Sequence, residues 1–262
     1  MRFKKYFKIW WILAIRASQT AFVSRFGTGI FLLGKILRFL FFFLFLLLLA
    51  SKTKVIAGYS LWQVIFFYLT FNIVDTMVQF FLREVYRFRS YVIYGEFDYI
   101  LTKPISPLFR SLFGGSDILD FFLLILLSIF IGFSIPHLGI VSLTGIISYI
   151  LLIFNAFLIA LAFHILVLSV GVLTTEVDNT IMLYRDMTQM GRLPIDIYQE
   201  PLRGIITFFI PIGIMMTFPA KALMGILSPP MIIVAFLIGI VFLFLSLKFW
   251  NFSLRHYQSA SS

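Results

Sequence analysis

The sequence predicts an all-α, polytopic membrane protein of six transmembrane helices, preceded by an N-terminal interfacial amphipathic helix. Three observations predict it. Hydrophobic residues make up 61% of the 262 and charged residues only 12%, far from the balance of a soluble domain. Mean hydropathy is +1.04. Apolar runs of about 18 or more residues, enough to cross hydrocarbon as helix, recur with mostly short segments between them, which makes a single transmembrane domain. No soluble catalytic domain fits. The chain has no cysteine, which excludes disulfides, thiolate metal sites and cysteine nucleophiles. The net charge of +10 marks loops retained on the inner side and lipid head groups as neighbours, rather than nucleic acid.

Residues 1–27 carry Phe3, Phe7, Trp10, Ala14, Ala17 and Ala21 at helical spacing, opposite Lys5, Lys8, Arg16 and Gln19. This pattern suits a helix lying in the inner interface, with Trp10 and Trp11 at head-group depth. A cleavable signal peptide is disfavoured, because the basic region is too long and the apolar run after it spans a bilayer. The domain follows as residues 28–250, and 251–262 form a cytoplasmic tail.

The first span is expected at Thr28–Ala50. It contains Lys35 and Arg38, whose long stems can snorkel to the inner interface or, on a sharper reading, meet an anionic substrate. After an outer loop at 51–60, the second span is Leu61–Leu82. Along it Tyr68, Asn72, Asp75 and Gln79 fall at steps of four, three and four, so they share one stripe of one helix. A carboxylate at that depth costs about 2.5–3.5 kcal/mol unless paired or wetted. The stripe must therefore face protein or a cavity, either as interhelical hydrogen bonding or as a candidate substrate path.

Residues 83–115 form the longest polar interruption, with Arg83, Arg87, Arg89, Lys103 and Arg110 against Glu84, Glu96 and Asp98. This places it in the cytoplasm. Gly95 permits a sharp turn, Phe97, Ile100 and Leu101 give one helical turn an apolar face, and Pro104 and Pro107 stop that helix. A short rigid helix near the membrane surface is something a soluble partner can push. The third span, Ser116–Ile135, is entered through Asp117 and Asp120, with Ser116 as a cap and Asp117 at the positive helix end. Pro136-His137-Leu138-Gly139 makes an outer turn. The fourth span runs from Ser142 to about Gly171. His137 and His164 lack the converging partners that a metal site requires.

Two blocks carry a family resemblance. The first is Gly95-x-x-Asp98-x-x-Leu101-x-x-Pro104-x-x-Pro107; the second is Gly191-Arg192-Leu193-Pro194-x-x-x-Tyr198, then Ile210-Pro211, Phe218-Pro219-Ala220 and Gly225. Together they resemble type 2 ATP-binding-cassette (ABC-2) exporter permeases, in the bacterial branch with a separate ATPase and often a paired permease. The resemblance implies that residues 83–115 hold a cytoplasmic coupling helix contacting ABC ATPase subunits through Gly95, Phe97, Asp98, Tyr99, Leu101, Pro104 and Pro107. It also implies a second permease, a paralogue or another copy, packed alongside. ATP and Mg would be bound by the partner ATPase, leaving this chain without a cofactor.

Hydropathy and resemblance differ on the fifth span. Hydropathy places it at 205–220, which contains Pro211 and Pro219 and is short for a crossing. The resemblance places it at about Thr175–Met190, followed by a re-entrant hairpin at 201–227, tolerated where buried in protein. The second layout is preferred. The sixth span is Met231–Trp250. Lys52, Lys54, Arg192, Arg203 and Lys221 then stand on the outer side, while most other Lys and Arg stand inside. Both termini are therefore expected in the cytoplasm, at the cytoplasmic (inner) membrane.

No phosphate-binding Gly-x-x-x-x-Gly-Lys-Ser/Thr stretch occurs, and Gly114-Gly115 reads as a hinge before a helix. No Ser/His/Asp set or His-Glu-x-x-His motif is present, which disfavours an intramembrane enzyme. The expected function is a non-catalytic permease subunit exporting a hydrophobic or amphiphilic substrate by alternating access. A structural or biogenesis membrane protein is the alternative.

Overall fold

Several helix starts in this chain are set by Ser or Asp side chains that satisfy a first free N–H group. The computed structural model describes residues 2–23, 25–52 and 57–258. The expected outer-loop residues 53–56, Lys54 among them, and tail residues 259–262 lie outside those described. Helix α1 (Arg2–Val23) is followed by α2 (Arg25–Lys52). Ser60 then opens α3 (Leu61–Leu82) with a capping box: the Ser60 hydroxyl accepts from Gln63 N–H at 3.4 Å, and the Gln63 amide oxygen accepts from Ser60 N–H at 2.9 Å. A 3₁₀ turn (Arg83–Arg87) and α4 (Phe88–Ile93) carry the same rod onward. The expected polar loop therefore begins as helix and turns only at Gly95, because Arg83, Arg87 and Arg89 project sideways from a segment whose Val85, Phe88 and Val92 are buried.

Gly95, at φ +72°, sets α5 (Glu96–Thr102), and α6 (Pro107–Phe113) follows. Pro107 occupies the first turn of α6, where its missing N–H costs nothing, and Ser106 caps that helix. Pro107 therefore starts a second helix, instead of only ending the first as expected. Helix α7 (Ile118–Ser134) is capped by Asp117, which accepts from Leu119 N–H at 3.1 Å. Ser116, the expected cap, instead accepts from Trp10 Nε1 at 2.9 Å.

Helix α8 (Leu143–Thr174), capped by Ser142, is the central post of the fold. It is followed by α9 (Val177–Gln189), two 3₁₀ turns, α10 (Leu202–Gly204) with a π turn at Ile205–Phe209, α11 (Ile212–Met216), α12 (Phe218–Leu223) and α13 (Pro229–Arg255). No strand occurs among the described residues. Among the described residues, five helices are long and apolar enough to cross a membrane, at Phe26–Leu48, Leu61–Ile93, Ile118–Leu138, Leu143–Thr174 and Pro229–Arg255. With 13 residues, α9 rises only about 20 Å, short of a hydrocarbon layer of roughly 30 Å. Residues 205–220 form no single rod. They bend at Pro211 and at Thr217, and most of their length from Ile212 to Ala220 is buried.

Close backbone approach holds the second half together. Helices α8 and α13 pack along much of their length, where Asn155 Nδ2 donates to the Ala235 carbonyl at 2.9 Å beside Gly239. A Cβ on Gly239 would run into the Asn155 amide. At the N-terminus of α8, Gly145 lies against the Ala222 and Leu223 carbonyls of α12. Small residues at such crossings allow helices in lipid to gain dispersion contact and buried hydrogen bonds. Gly239→Ala is expected to weaken the fold by about 1–3 kcal/mol, the usual range for overpacking. The check is thermal unfolding in detergent beside Gly132→Ala, a position with open space around it, which should lose far less.

Candidate functional site

Two constellations lie at different depths of the bundle. The first is α5 and its setting. Its helical period turns Phe97 and Ile100 inward, and both are buried. The Phe97 ring meets Phe88 and Tyr257 edge-on at centroid distances of 5.1 Å, and Trp250 at 6.4 Å. Phe97 was expected to contact a soluble partner. The structure corrects this: it is the anchor that seats α5 on α4 and on the end of α13. Tyr99, 71% exposed, and Leu101 face outward instead. Asp98 lies beside the Tyr257 phenol, which is pushed up to about 12 by burial and then by that carboxylate. Pro104 presents its carbonyl to Lys5 Nζ at 3.3 Å, and Ser106 N–H donates to the Tyr6 hydroxyl at 3.2 Å. These bonds pin α1 across the α5–α6 turn.

A residue not singled out from the sequence secures this assembly. Glu84, 1% exposed, accepts from the Tyr91 hydroxyl at 2.7 Å, from Arg87 at 3.4 Å, and from Arg110 on α6. Gly114 and Gly115 make room for it: a Cβ on Gly115 would stand 2.5 Å from Glu84 Oε2. The glycine pair is thus a cradle for a carboxylate as well as a turn before α7. The sequence signal was present in an acid placed among arginines at the end of an apolar run.

The second constellation is the stripe on α3. Asn72 Nδ2 donates to the Tyr68 carbonyl at 2.8 Å, Gln79 Nε2 donates to Asp75 at 2.9 Å, and the Tyr68 hydroxyl donates to the Phe39 carbonyl at 3.3 Å. Asp75 pairs with Arg38 of α2 at 3.7 Å. Lys35, one turn earlier, meets Asp117 at 3.5 Å and also Asp120. The α2 cations therefore bind acids of α3 and α7, a pairing that sequence separation concealed. Arg192 was expected on the outer side. Its guanidinium instead lies over Phe42 at 5.3 Å and Phe71 at 5.9 Å, facing the same stripe. Arg185 lies over Tyr86 at 5.9 Å.

The ends of the bundle are fixed by polar latches. At one end Arg89 meets Asp178 at 3.3 Å. At the other, Asp196 accepts from the Tyr59 hydroxyl at 2.9 Å and from Lys221 at 2.8 Å. The Tyr59 hydroxyl is raised above its ordinary range, first by burial and then by Asp196. His137 stacks on Trp62 at 3.9 Å, and His164 Nδ1 lies 2.8 Å from the Ala160 carbonyl. Among the described residues no group of His, Cys, Asp and Glu is placed to hold a metal. Glu84→Ala would leave the half-buried Arg110 guanidinium and the Tyr91 hydroxyl without their shared acceptor, and a loss of about 1–3 kcal/mol is expected. Chemical unfolding in detergent measures it, and faster proteolysis within 94–107 should accompany it.

Comparison with curated proteins finds no match, and comparison with solved structures finds none either. A protein-family model described as ABC-2 family transporter protein matches residues 36–261. That match covers the long helices from within α2 onward, the α5–α6 region and the broken segment before α13. With its apolar helices and nearly complete coverage, the chain belongs to the ABC-2 family transporter proteins and is a multi-pass membrane component of an ABC transporter.

Proposed function

We propose that the chain is the permease subunit of an ATP-driven exporter, moving a hydrophobic or amphiphilic substrate across the cytoplasmic membrane. ATP and Mg²⁺ are held and used by separate ATPase subunits. A second permease, the same chain or a paralogue, completes the substrate path. The observation that carries this reading is the posture of α5. It is anchored inward by Phe97 and Ile100 and presents Tyr99 and Leu101 outward, as a helix must if it is to receive force from a soluble partner and pass it to the bundle.

Counting a sixth crossing in the segment after α8, beside the five long helices, supports the orientation. The chain leaves the Arg89 end at Asp178 and reaches the Tyr59 end at Asp196. It thus runs antiparallel to α3, although only its first part is α-helical. Irregular backbone at such depth is tolerated where protein surrounds it; here Ile195 N–H donates to the Thr217 hydroxyl at 3.3 Å. With that crossing counted, both termini fall on the side of α5, which the Lys and Arg distribution makes cytoplasmic.

The stroke enters through α5 and spreads along two routes. Phe97 leads to Trp250 on α13, and Glu84 couples the α6 side to the end of α3. Packed helices move as bodies, so a push at this end tilts the spans and alternates access to the polar stripe.

Replacing Tyr99 and Leu101 together with Ala should leave stability within about 0.5 kcal/mol, as exposed sites usually do. It should abolish capture of the ATPase and its substrate-stimulated hydrolysis in reconstituted vesicles. Wild-type capture and coupling in that variant would sink the reading. Phe97→Ala, by contrast, is expected to unfold the α5 seat, at about 3–5 kcal/mol. Mass measurement of the purified complex should return two permeases, and a transport-competent lone permease would exclude the pairing.

A further inference from the structure

The face formed by α2, α3 and the run from α9 into the 3₁₀ turn Met190–Arg192 carries more positive charge than the fold itself uses. Arg38 meets Asp75, and Asp75 lies in the field of Arg185 and Arg192 as well. Neither Arg185 nor Arg192 has a carboxylate partner among the described residues; each guanidinium is set over an aromatic ring instead. The three form a ladder. Arg185 is level with Tyr86, Arg38 with Asp75, and Arg192 with Phe71. Along α3 that rise amounts to roughly 22 Å, most of the way into a hydrocarbon layer. Arg38 remains 45% exposed after pairing. Beside the ladder, Phe41 and Phe45 of α2 are exposed apolar surface.

Intramembrane arginines are expensive and are retained where they meet a charge. A guanidinium donates a bidentate fork of N–H groups to phosphate oxygens and keeps its charge at every relevant pH. We infer that this face is a track for an anionic amphiphile, a phosphate-bearing lipid head group passed from Arg185 through Arg38 to Arg192 while its acyl chains lie against α2. The inference rests on the permease reading and names the chemical class of its substrate. Asp75 keeps the track from holding the anion too tightly, since it competes for Arg38 and repels the same phosphate.

The test needs no ATPase, so its failure is distinct from failure of the coupling experiment. The purified full chain in detergent is titrated with phosphatidylglycerol or phosphatidylcholine of matched acyl chains, and lipid retention is read by native mass spectrometry. Phosphatidylglycerol should be retained about tenfold better (about 1.4 kcal/mol). The combined Arg38→Gln, Arg185→Gln and Arg192→Gln variant should lose the preference, and the three Lys replacements should keep part of it. Arg203→Gln, whose partner is Glu200 away from this face, should retain it fully. Equal retention by the wild-type chain overturns the inference, as does a preference that survives the three Gln replacements. Displacement of the bound lipid by excess inorganic phosphate would identify a free-anion site and overturn it too. If the triple variant does not fold, Arg192→Gln alone decides by the same readout.

Discussion

Hydrocarbon solvates neither a charge nor an unpaired backbone group, and the tertiary structure of this chain is largely arranged to satisfy that constraint. Helix α2 buries Leu46 and half-buries Phe39, Phe42 and Phe43, but most of its large side chains are exposed. What fixes it in place is charge: Lys35 to Asp117 and Asp120, and Arg38 to Asp75. Removing either partner would leave its counterpart in a medium that cannot accommodate it. The ion pairs therefore set the register of α2 against α3 and α7 where apolar side chains, equally content in lipid, could not.

The same constraint explains why the α5 region is mechanically continuous with the spans. Glu84 is buried at the place where α3 leaves the apolar layer, and its oxygens are occupied from the 3₁₀ turn, α4 and α6. Phe97 adds an aromatic seat joining α4, α5 and α13. A charged knot on one side and an aromatic knot on the other leave α5 little freedom to rock independently. Force applied to Tyr99 or Leu101 has to move the bundle.

Between α9 and α13 the chain solves a different problem, which is how to keep non-helical backbone at membrane depth. Gly191 and Gly213 allow the two irregular segments to approach so closely that added Cβ atoms would strike Met216 and Ile195. Thr217 supplies a hydroxyl to a buried N–H, and Asp196 ties the segment to Tyr59 and Lys221 at the far end. From Ile212 to Ala220 protein surrounds this backbone, whereas Leu202, Phe208 and Phe209 lie at the surface.

Periodicity and hydropathy alone determined the all-α membrane class, the limits of the long helices to within a few residues, and the stripe from Tyr68 to Gln79. These are local properties: a run of apolar side chains needs no partner to declare itself, and Gly95 and Pro104 announce a turn and a stop whatever surrounds them. Only the tertiary structure decided the inward turn of Phe97, because a seven-residue helix has two possible apolar faces and the position of Trp250 selects one. It also decided the partners of Lys35 and Arg38, the cradle that Gly114 and Gly115 form for Glu84, and the placing of Arg192 over Phe42 and Phe71. Each of these joins residues far apart in the chain, and each depends on what a charge or a ring meets after the helices have packed.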